Sequence, residues 1–579
     1  MGIDVLLGLT PQVLALFVGS GIVFFTIFYR WALPKPIPGI PYNKEAAKSI
    51  FGDVAAMVEA TSKTKEMFAW MMEQNVKLES PIIQLFTRPF GKPLVVIADF
   101  REAQDIMVRR TKEFDRSKFF SEVSGAISPK SHFSMPTNSE FRQHRKWIQG
   151  VMGMGFLHQT AAPHIYAAGL DLLQLWEQKS RLTKGHPFAA DDLYGTAMDA
   201  VWAIVFGADI DNSTTKAQLK LYSTIKSIHL ENDLDSPVEL PSAPYPAAVQ
   251  SILTLTDSVE TSIKSPVPVL AHWVLRQTSK MKKAYKDKDQ VIGDEINKAV
   301  KRATSKDAKE KTITCAIDDF VQREMLLAQK ENRQPEAQGR GMYDEILGFI
   351  MGAHDTTATA IQWGLKYLAD NPDVQAKLRA ELRAYHVEAT AEKRLPTFQE
   401  INESQMHYRD AVIEEIFRCS LSEAASIRTA VVDAEVLGHR IPKGTEVFLL
   451  GNGPSIFAPE FNIDESLRTK SGIEAKDKVG TWKHEGMADF DPERWMAEDK
   501  ATGQKLFNSA AGPHLIFGLG ERGCYGRRMA YVEIKLLITQ IVWNFQLYKC
   551  PEALSSYAAI DKMTHVPQQC YIKPVKLVW

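Results

Sequence analysis

The sequence predicts a mainly α-helical chain with small β-sheets, a single globular body behind an N-terminal membrane helix. Three observations carry this. Apolar residues recur at helical spacing through most of the chain after Phe141. Strand-like runs are short and confined to residues 81–98 and 428–450. Residues 5–29 contain no charged side chain, long enough at helical rise to cross a bilayer core of ~30 Å. The composition is globular, with 579 residues, 45% hydrophobic and 24% charged. A net charge of −1 offers no global attraction to nucleic acid, which is not an expected partner.

The first element runs from Val5 to Tyr29, with Asp4 before it and Arg30 and Lys35 after it. The basic flank favours the C-terminal side in the cytosol, and Tyr29 and Trp31 stand where an interfacial aromatic belt belongs. A cleavable signal peptide would instead have a basic start, a shorter apolar stretch and a small-residue cleavage site. The run Pro34-Lys35-Pro36-Ile37-Pro38-Gly39-Ile40-Pro41 reads as a stiff spacer, since proline fixes φ and removes backbone donors. The expected division is a membrane anchor over 1–30, a proline-rich hinge over 31–45 and one large domain over 46–579. A cytosolic body leaves the sequons at Asn212 and Asn402 unmodified.

In the body, Ile82 to Phe86 and Leu94 to Ile97 flank a Pro-Phe-Gly turn and predict a β element, after which Asp99 caps a helix. Residues 280–311 are rich in charge and read as a solvated connection with short helices. Residues 343–369 form one long helical pattern. Asn371-Pro372 ends it and starts the next, with Asn371 as N-cap. Residues 414–418 lie on a further helix, 428–450 turn to short strands, and 457–485 form a polar insertion without periodicity.

Five cysteines, Cys315, Cys419, Cys524, Cys550 and Cys570, are widely spaced, with no zinc-site spacing among them. This fits a reducing compartment better than a disulfide framework. Most such cysteines are core packing. Cys524 differs, standing in Phe517-Gly518-Leu519-Gly520-Glu521-Arg522-Gly523-Cys524-Tyr525-Gly526. Glycines let the backbone approach a flat group closely, and a following helix start favours a thiolate. Phe517, Gly520, Arg522, Cys524 and Gly526 match all five fixed positions of the haem-ligand signature of the cytochrome P450 family. At average residue usage a chance match in a chain of this length is roughly one in 10⁴.

Further segments resemble the same family in the same order. Phe141 to Lys146 is similar to the helix that contacts the haem propionates, with Phe141 in place of tryptophan and Arg145 at the cationic position. Gly352-Ala353-His354-Asp355-Thr356-Thr357 resembles the oxygen-activation motif. Ala353 stands there where glycine is commoner. Glu415 and Arg418 match the ExxR motif, and Arg494 of Phe490-Asp491-Pro492-Glu493-Arg494-Trp495 matches its third partner. Arg428 matches a second propionate arginine.

The resemblance implies a cytochrome P450 fold with haem b bound through the Cys524 thiolate. It implies that Arg522, Arg145 and Arg428 bind the cofactor and that Asp355 and Thr356 deliver protons to bound oxygen. Glu415, Arg418 and Arg494 are implied to be a folding core. Implied partners are an NADPH-cytochrome P450 reductase, docking near Arg142, Lys146, Arg527 and Arg528, and a lipophilic small molecule. The implied location is the endoplasmic reticulum membrane, single-pass, with a cytosolic catalytic domain. The chain most resembles microsomal enzymes of filamentous fungi, many of which serve secondary metabolism. Expected substrate walls are residues 114–133, 241–246, 350–356 and 420–428. Two other classes remain open at this point: a haem-thiolate isomerase or dehydratase, and a non-catalytic haem sensor or electron carrier.

Overall fold

The apolar N-terminal run forms helix Pro11–Ala32, whose Phe17, Phe24 and Phe25 are each more than half exposed. It is long and apolar enough over Ala15–Ala32 to span a membrane. The computed structural model describes residues 11–208, 212–265, 267–305, 312–500 and 502–578. Asp4 and the start of the expected anchor, and residues 306–311 of the lysine-rich stretch, lie outside the described residues.

The helix ends on the body. Trp31 stacks on Phe90 with centroids 6.2 Å apart, and the Tyr29 hydroxyl donates to the Lys48 carbonyl at 2.7 Å. The proline-rich spacer is tied down by the buried amide of Gln84. It accepts from Ile37 N at 2.7 Å and donates to the carbonyls of Ile37 and Ile40 at 2.8 Å.

Short, mostly buried apolar runs build the main sheet in the order Ile82–Leu85, Leu94–Ile97, Glu446–Leu450, Ala425–Ala430, Phe114–Arg116. All neighbours are antiparallel except Leu94–Ile97 with Glu446–Leu450, and the last pairing puts Arg116 opposite Arg428. Asp99 caps helix Phe100–Val108 as expected, accepting from Glu102 N.

Most of the remaining body is helical. The longest helix, Arg340–Asp370, runs through the core. It crosses helix His407–Ser420 so closely that a Cβ on Gly364 would lie 2.9 Å from Ile416. Helix Pro372–Tyr385 follows with proline in its first turn, but the Asn371 side chain does not cap it. It donates back to the Tyr367 carbonyl at 2.8 Å, closing the preceding helix instead.

One stretch differs from expectation. The described part of 280–311 does not form short helices in a solvated connection, because Ser279–Thr304 is one continuous helix. Its few apolar residues, among them Met281, Ala284, Ile292, Ile296 and Ala299, are buried at helical spacing, so one stripe suffices to hold it on the core. The 457–485 insertion is pinned rather than free. Arg468, nearly buried, makes a paired contact with Asp99 at 2.8 and 3.1 Å. Arg101 forks onto Glu465, and Thr469 and Ser471 donate to Asp105. A polar stretch lacks hydrophobic periodicity but can still pack by buried ion pairs, which periodicity does not register.

Candidate functional site

The cysteine loop forms because its glycines take conformations other residues avoid. Gly518 and Gly520 have φ of 54° and 70°, and a Cβ on Gly520 would lie 2.2 Å from the Met107 carbonyl. The loop closes with Cys524 N donating to the Phe517 carbonyl at 2.6 Å, and helix Arg527–Asn544 starts directly after it. The Cys524 side chain opens onto a cavity of about 860 Å³, within the range of small-molecule and cofactor sites. Burial and the nearby Glu423 push its thiol up to about 11, while the backbone amides of Gly526 and Arg527 bond to it and pull the other way. Those amides favour a sulfur that carries negative charge.

Three expected arginines converge on the cavity. Arg428 reaches it from the sheet, Arg145 from helix Ser139–Trp147 and Arg522 from the cysteine loop. Arg522 donates to the Thr137 hydroxyl at 2.7 Å, to the carbonyls of His132 and Met135, and lies over the Phe141 ring at 3.8 Å. Phe141, where an indole was expected to be missed, therefore serves as the floor beneath a guanidinium. Arg145 stacks on Tyr525 at 3.8 Å and donates to the Glu521 carbonyl.

A fourth guanidinium, Arg116, falls within the wall expected at 114–133 but was not expected to join the arginine cluster. Only the sheet register, which sets it opposite Arg428, brings it here. Its Nη2 is buried without a hydrogen-bond partner. Burial, with Arg522 and Arg428 beside it, pushes Arg116 down to about 9, and burial and its neighbours hold Arg522 at about 10. The carboxylates of Glu423 and Asp115 offset part of this charge, but four guanidiniums outnumber them and one donor stays unsatisfied, which favours a further anion. A haem fits this set: two propionates for the guanidiniums, a thiolate ligand, and a glycine-lined loop against which a flat ring can lie.

On the long helix, Gly352, Ala353 and Thr356 line the cavity. The Thr356 hydroxyl donates to the Gly352 carbonyl at 2.9 Å. Asp355 does not line the cavity, and its carboxylate instead accepts from the Thr564 hydroxyl at 2.9 Å. His354 is buried against its own helix, with Nδ1 3.0 Å from the Ile350 carbonyl. Glu533, also missed, lines the wall. Burial pushes its carboxyl up to about 8, with Thr357 the counteracting partner, so it is largely neutral at pH 7.

The walls expected at 114–133, 350–356 and 420–428 are present, but 241–246 is not a wall. Pro241 and Ala243 instead satisfy Tyr222 and Gln218 on the far side of the body. Val259, Ile263 and the hairpin tip at Lys562–Thr564 take that place. Of the four expected docking cations, Arg142 is exposed and pairs with Glu521 of the cysteine loop at 3.0 Å, and Lys146 and Arg528 are exposed. Arg527 is half-buried and turned inward over Phe517 and Tyr531.

Glu345 anchors the segment that carries these groups. It accepts from His132 N, while the imidazoles of His132 and His144 lie 2.6 and 2.7 Å from its two oxygens. Burial alone would raise its pKa, but the two imidazoles outweigh that and hold it at about 2. Its ordinary value is 4.5, so its stabilisation is full above that pH and is lost as pH falls towards 2. Glu345→Gln is expected to unfold more easily at neutral pH and to show a flatter loss of stability between pH 5 and pH 2, on the order of a few kcal/mol. Denaturant midpoints across that range check this, and parallel curves for the two proteins would refute it.

The chain matches the family model for cytochrome P450 over residues 54–453 and 488–558, so the gap contains the 457–485 insertion. It is 38% identical over 573 residues to cytochrome P450 monooxygenase TRI13 of Fusarium sporotrichioides, covering 95% of this chain and 97% of that protein. It is likewise 38% identical to cytochrome P450 monooxygenase GME11363 of Pestalotiopsis microspora, covering 95% and 96%. Identity to cytochrome P450 monooxygenase xilC of Penicillium crustosum is 34%, covering 96% and 95%. With the cysteine loop, the arginine cluster and the long central helix in these positions, this chain belongs to the cytochrome P450 family.

Proposed function

We propose that the chain is a membrane-bound monooxygenase that inserts one oxygen atom from dioxygen into a lipophilic organic substrate. The observation that carries this reading is the Cys524 sulfur, held by two backbone amides and opening onto a cavity ringed by four guanidiniums. Cys524 is the iron ligand, and Arg116, Arg145, Arg428 and Arg522 hold the propionates of haem b. When bound there, the haem supplies dioxygen activation and oxidation of unactivated carbon.

The chain's own residues do the rest. Phe119, Phe120, Phe133 and Phe349 give the cavity apolar walls that exclude water and suit a lipophilic guest. Gly352 and Ala353 keep the long helix from filling the space. Thr356 and Asp355 move protons towards the cavity, which favours oxygen activation over an isomerase or dehydratase. NADPH-cytochrome P450 reductase is the proposed electron donor. Exposed Arg142, Lys146 and Arg528 near the cysteine loop support it, as a cationic face steers an acidic partner.

The proposed site is the endoplasmic reticulum membrane, with the anchor over 1–30, the spacer over 31–45 and the catalytic domain over 46–579 on the cytosolic side. The spacer bonds of Gln84 support a set orientation of the body to the bilayer. Helix Pro268–Leu275 supports a second contact, since Val269, Leu270, Trp273 and Val274 are all more than half exposed. A role in secondary-metabolite biosynthesis is supported by relatives named monooxygenases in Fusarium, Pestalotiopsis and Penicillium, and by one in Dothistroma septosporum named for the Hps1-dma1 cluster.

The full chain, reconstituted in phospholipid vesicles with reductase and NADPH under isotopically labelled dioxygen, is expected to place one labelled oxygen in a member of a terpenoid and polyketide panel. Product formed without dioxygen or NADPH would favour the isomerase reading. A preparation that takes up no haem would overturn all three.

A further inference from the structure

The position of Asp355 raises a question that the Asp–Thr pair alone does not answer. Its carboxylate does not face the cavity, whereas Thr564, which donates to it at 2.9 Å, does. The Thr564 hydroxyl is also 3.3 Å from the hydroxyl of Thr359, one turn along the helix from Asp355. Thr359 is in turn 3.4 Å from the Tyr194 hydroxyl. Thr359 and Thr564 are almost completely buried, whereas Tyr194 is half-buried in the first turn of helix Asp192–Phe206, beside exposed Asp191. Four groups from three distant segments thus stand within 2.9–3.4 Å of one another in order, from half-buried Tyr194 to the cavity.

The geometry points to Tyr194, Thr359 and Thr564 as a hydroxyl path that carries protons to Asp355 and, through Thr564, into the cavity. This rests on the reading of Asp355 and Thr356 as the proton-delivering pair. Each hydroxyl takes a proton on its oxygen as it releases its own, and Asp355 accepts one and hands one on. The net change is one proton moved from solvent to the cavity, with no electron transferred. Burial, reinforced by Asp355, raises the Tyr194 phenol far above its usual value, so it stays neutral and works only by such exchange.

Thr564 is not needed to fasten its hairpin. Trp363 Nε1 already donates to the His565 carbonyl at 2.8 Å, and the two rings stack at 5.8 Å. Its hydroxyl is therefore free to serve Asp355 rather than the fold.

The test uses the full-length holoenzyme with reductase in vesicles, without added substrate, so that only reduction of dioxygen by NADPH is read. Thr564→Val keeps the shape and removes the hydroxyl. It is expected to slow formation of water roughly tenfold or more, shift electrons towards hydrogen peroxide and enlarge the solvent deuterium isotope effect. Thr564→Ser is expected to restore all three. Independently of turnover, the infrared carboxylate stretch of Asp355 in the resting protein, assigned with Asp355→Asn, should shift in Thr564→Val, because a hydrogen-bond donor to it is lost. A wild-type isotope effect together with an unchanged carboxylate stretch would overturn the path. If Thr564→Val does not fold, Thr359→Val is read by water formation, peroxide release and the isotope effect, and decides in the same way. If Asp355→Asn and Thr356→Ala also leave proton delivery unchanged, the broader reading of the pair falls. If those two alter it while Thr564→Val does not, only the path falls.

Discussion

Replacing Cys524 with serine is expected to abolish the thiolate-type spectrum of the reduced carbon monoxide complex and to lower monooxygenation by more than the roughly 100-fold that losing a partner one shell from a metal costs. A serine hydroxyl stays neutral and donates little electron density, and thiolate donation is what favours cleavage of the O–O bond. The fold should survive. The loop is held by the Cys524 backbone N–H on the Phe517 carbonyl and by Gly520 against Met107, none of which involves the sulfur. Thermal unfolding should therefore shift by no more than about 1 kcal/mol while the spectrum changes completely. A variant that kept the thiolate-type spectrum would show that another residue binds the iron.

Glu415→Ala is expected to have the opposite profile, a collapse of stability without any direct change at the reacting centre. Glu415 is fully buried and accepts from Arg418 Nε and Nη2 at 2.8 and 2.7 Å, Arg494 Nε at 3.0 Å, Trp495 Nε1 at 2.8 Å and Asp491 N at 2.9 Å. Alanine would leave two buried guanidiniums without their carboxylate. Removing one partner of a buried pair costs about 3–5 kcal/mol, against a total stability of about 5–15 kcal/mol for a typical domain. We expect the variant to be insoluble or haem-free, with a large fall in the unfolding midpoint if it can be isolated. Glu415→Gln keeps an acceptor but loses the charge, and should fall between the two. Normal haem content and an unchanged midpoint in Glu415→Ala would mean that this cluster does not hold the cysteine loop. The indole of Trp495, at a position where phenylalanine is frequent in the family, has a physical reason here, since its N–H fills the last acceptor site on Glu415.

Motifs whose members are close in sequence were legible, and those assembled across the chain were not. The cysteine loop, the Glu415–Arg418 helix turn and the small residues at 352 and 353 depend on local spacing, so residue types alone disclosed them. Arg116 was legible only as part of the 114–133 wall, because it joins the arginine cluster only through its register opposite Arg428. Glu345 was passed over because its partners His132 and His144 come from other segments. The charged helix Ser279–Thr304 was underestimated because five small or aliphatic residues at the right spacing outweigh a polar average.

The amino-acid sequence by itself determined the class of this protein: an apolar N-terminal helix, a helical body, a glycine-rich cysteine loop with its helix start, and the family to which these belong. Those features follow from spacing along the chain, which local conformation converts directly into shape. The tertiary structure alone decided the electrostatics of the cavity and the direction in which Asp355 points. The fourth guanidinium, the neutral Glu533 and the Tyr194–Thr359–Thr564 line exist only because strands and helices far apart in sequence are packed together. Burial and the approach of charges set how these groups behave, and neither is a property of any residue taken alone.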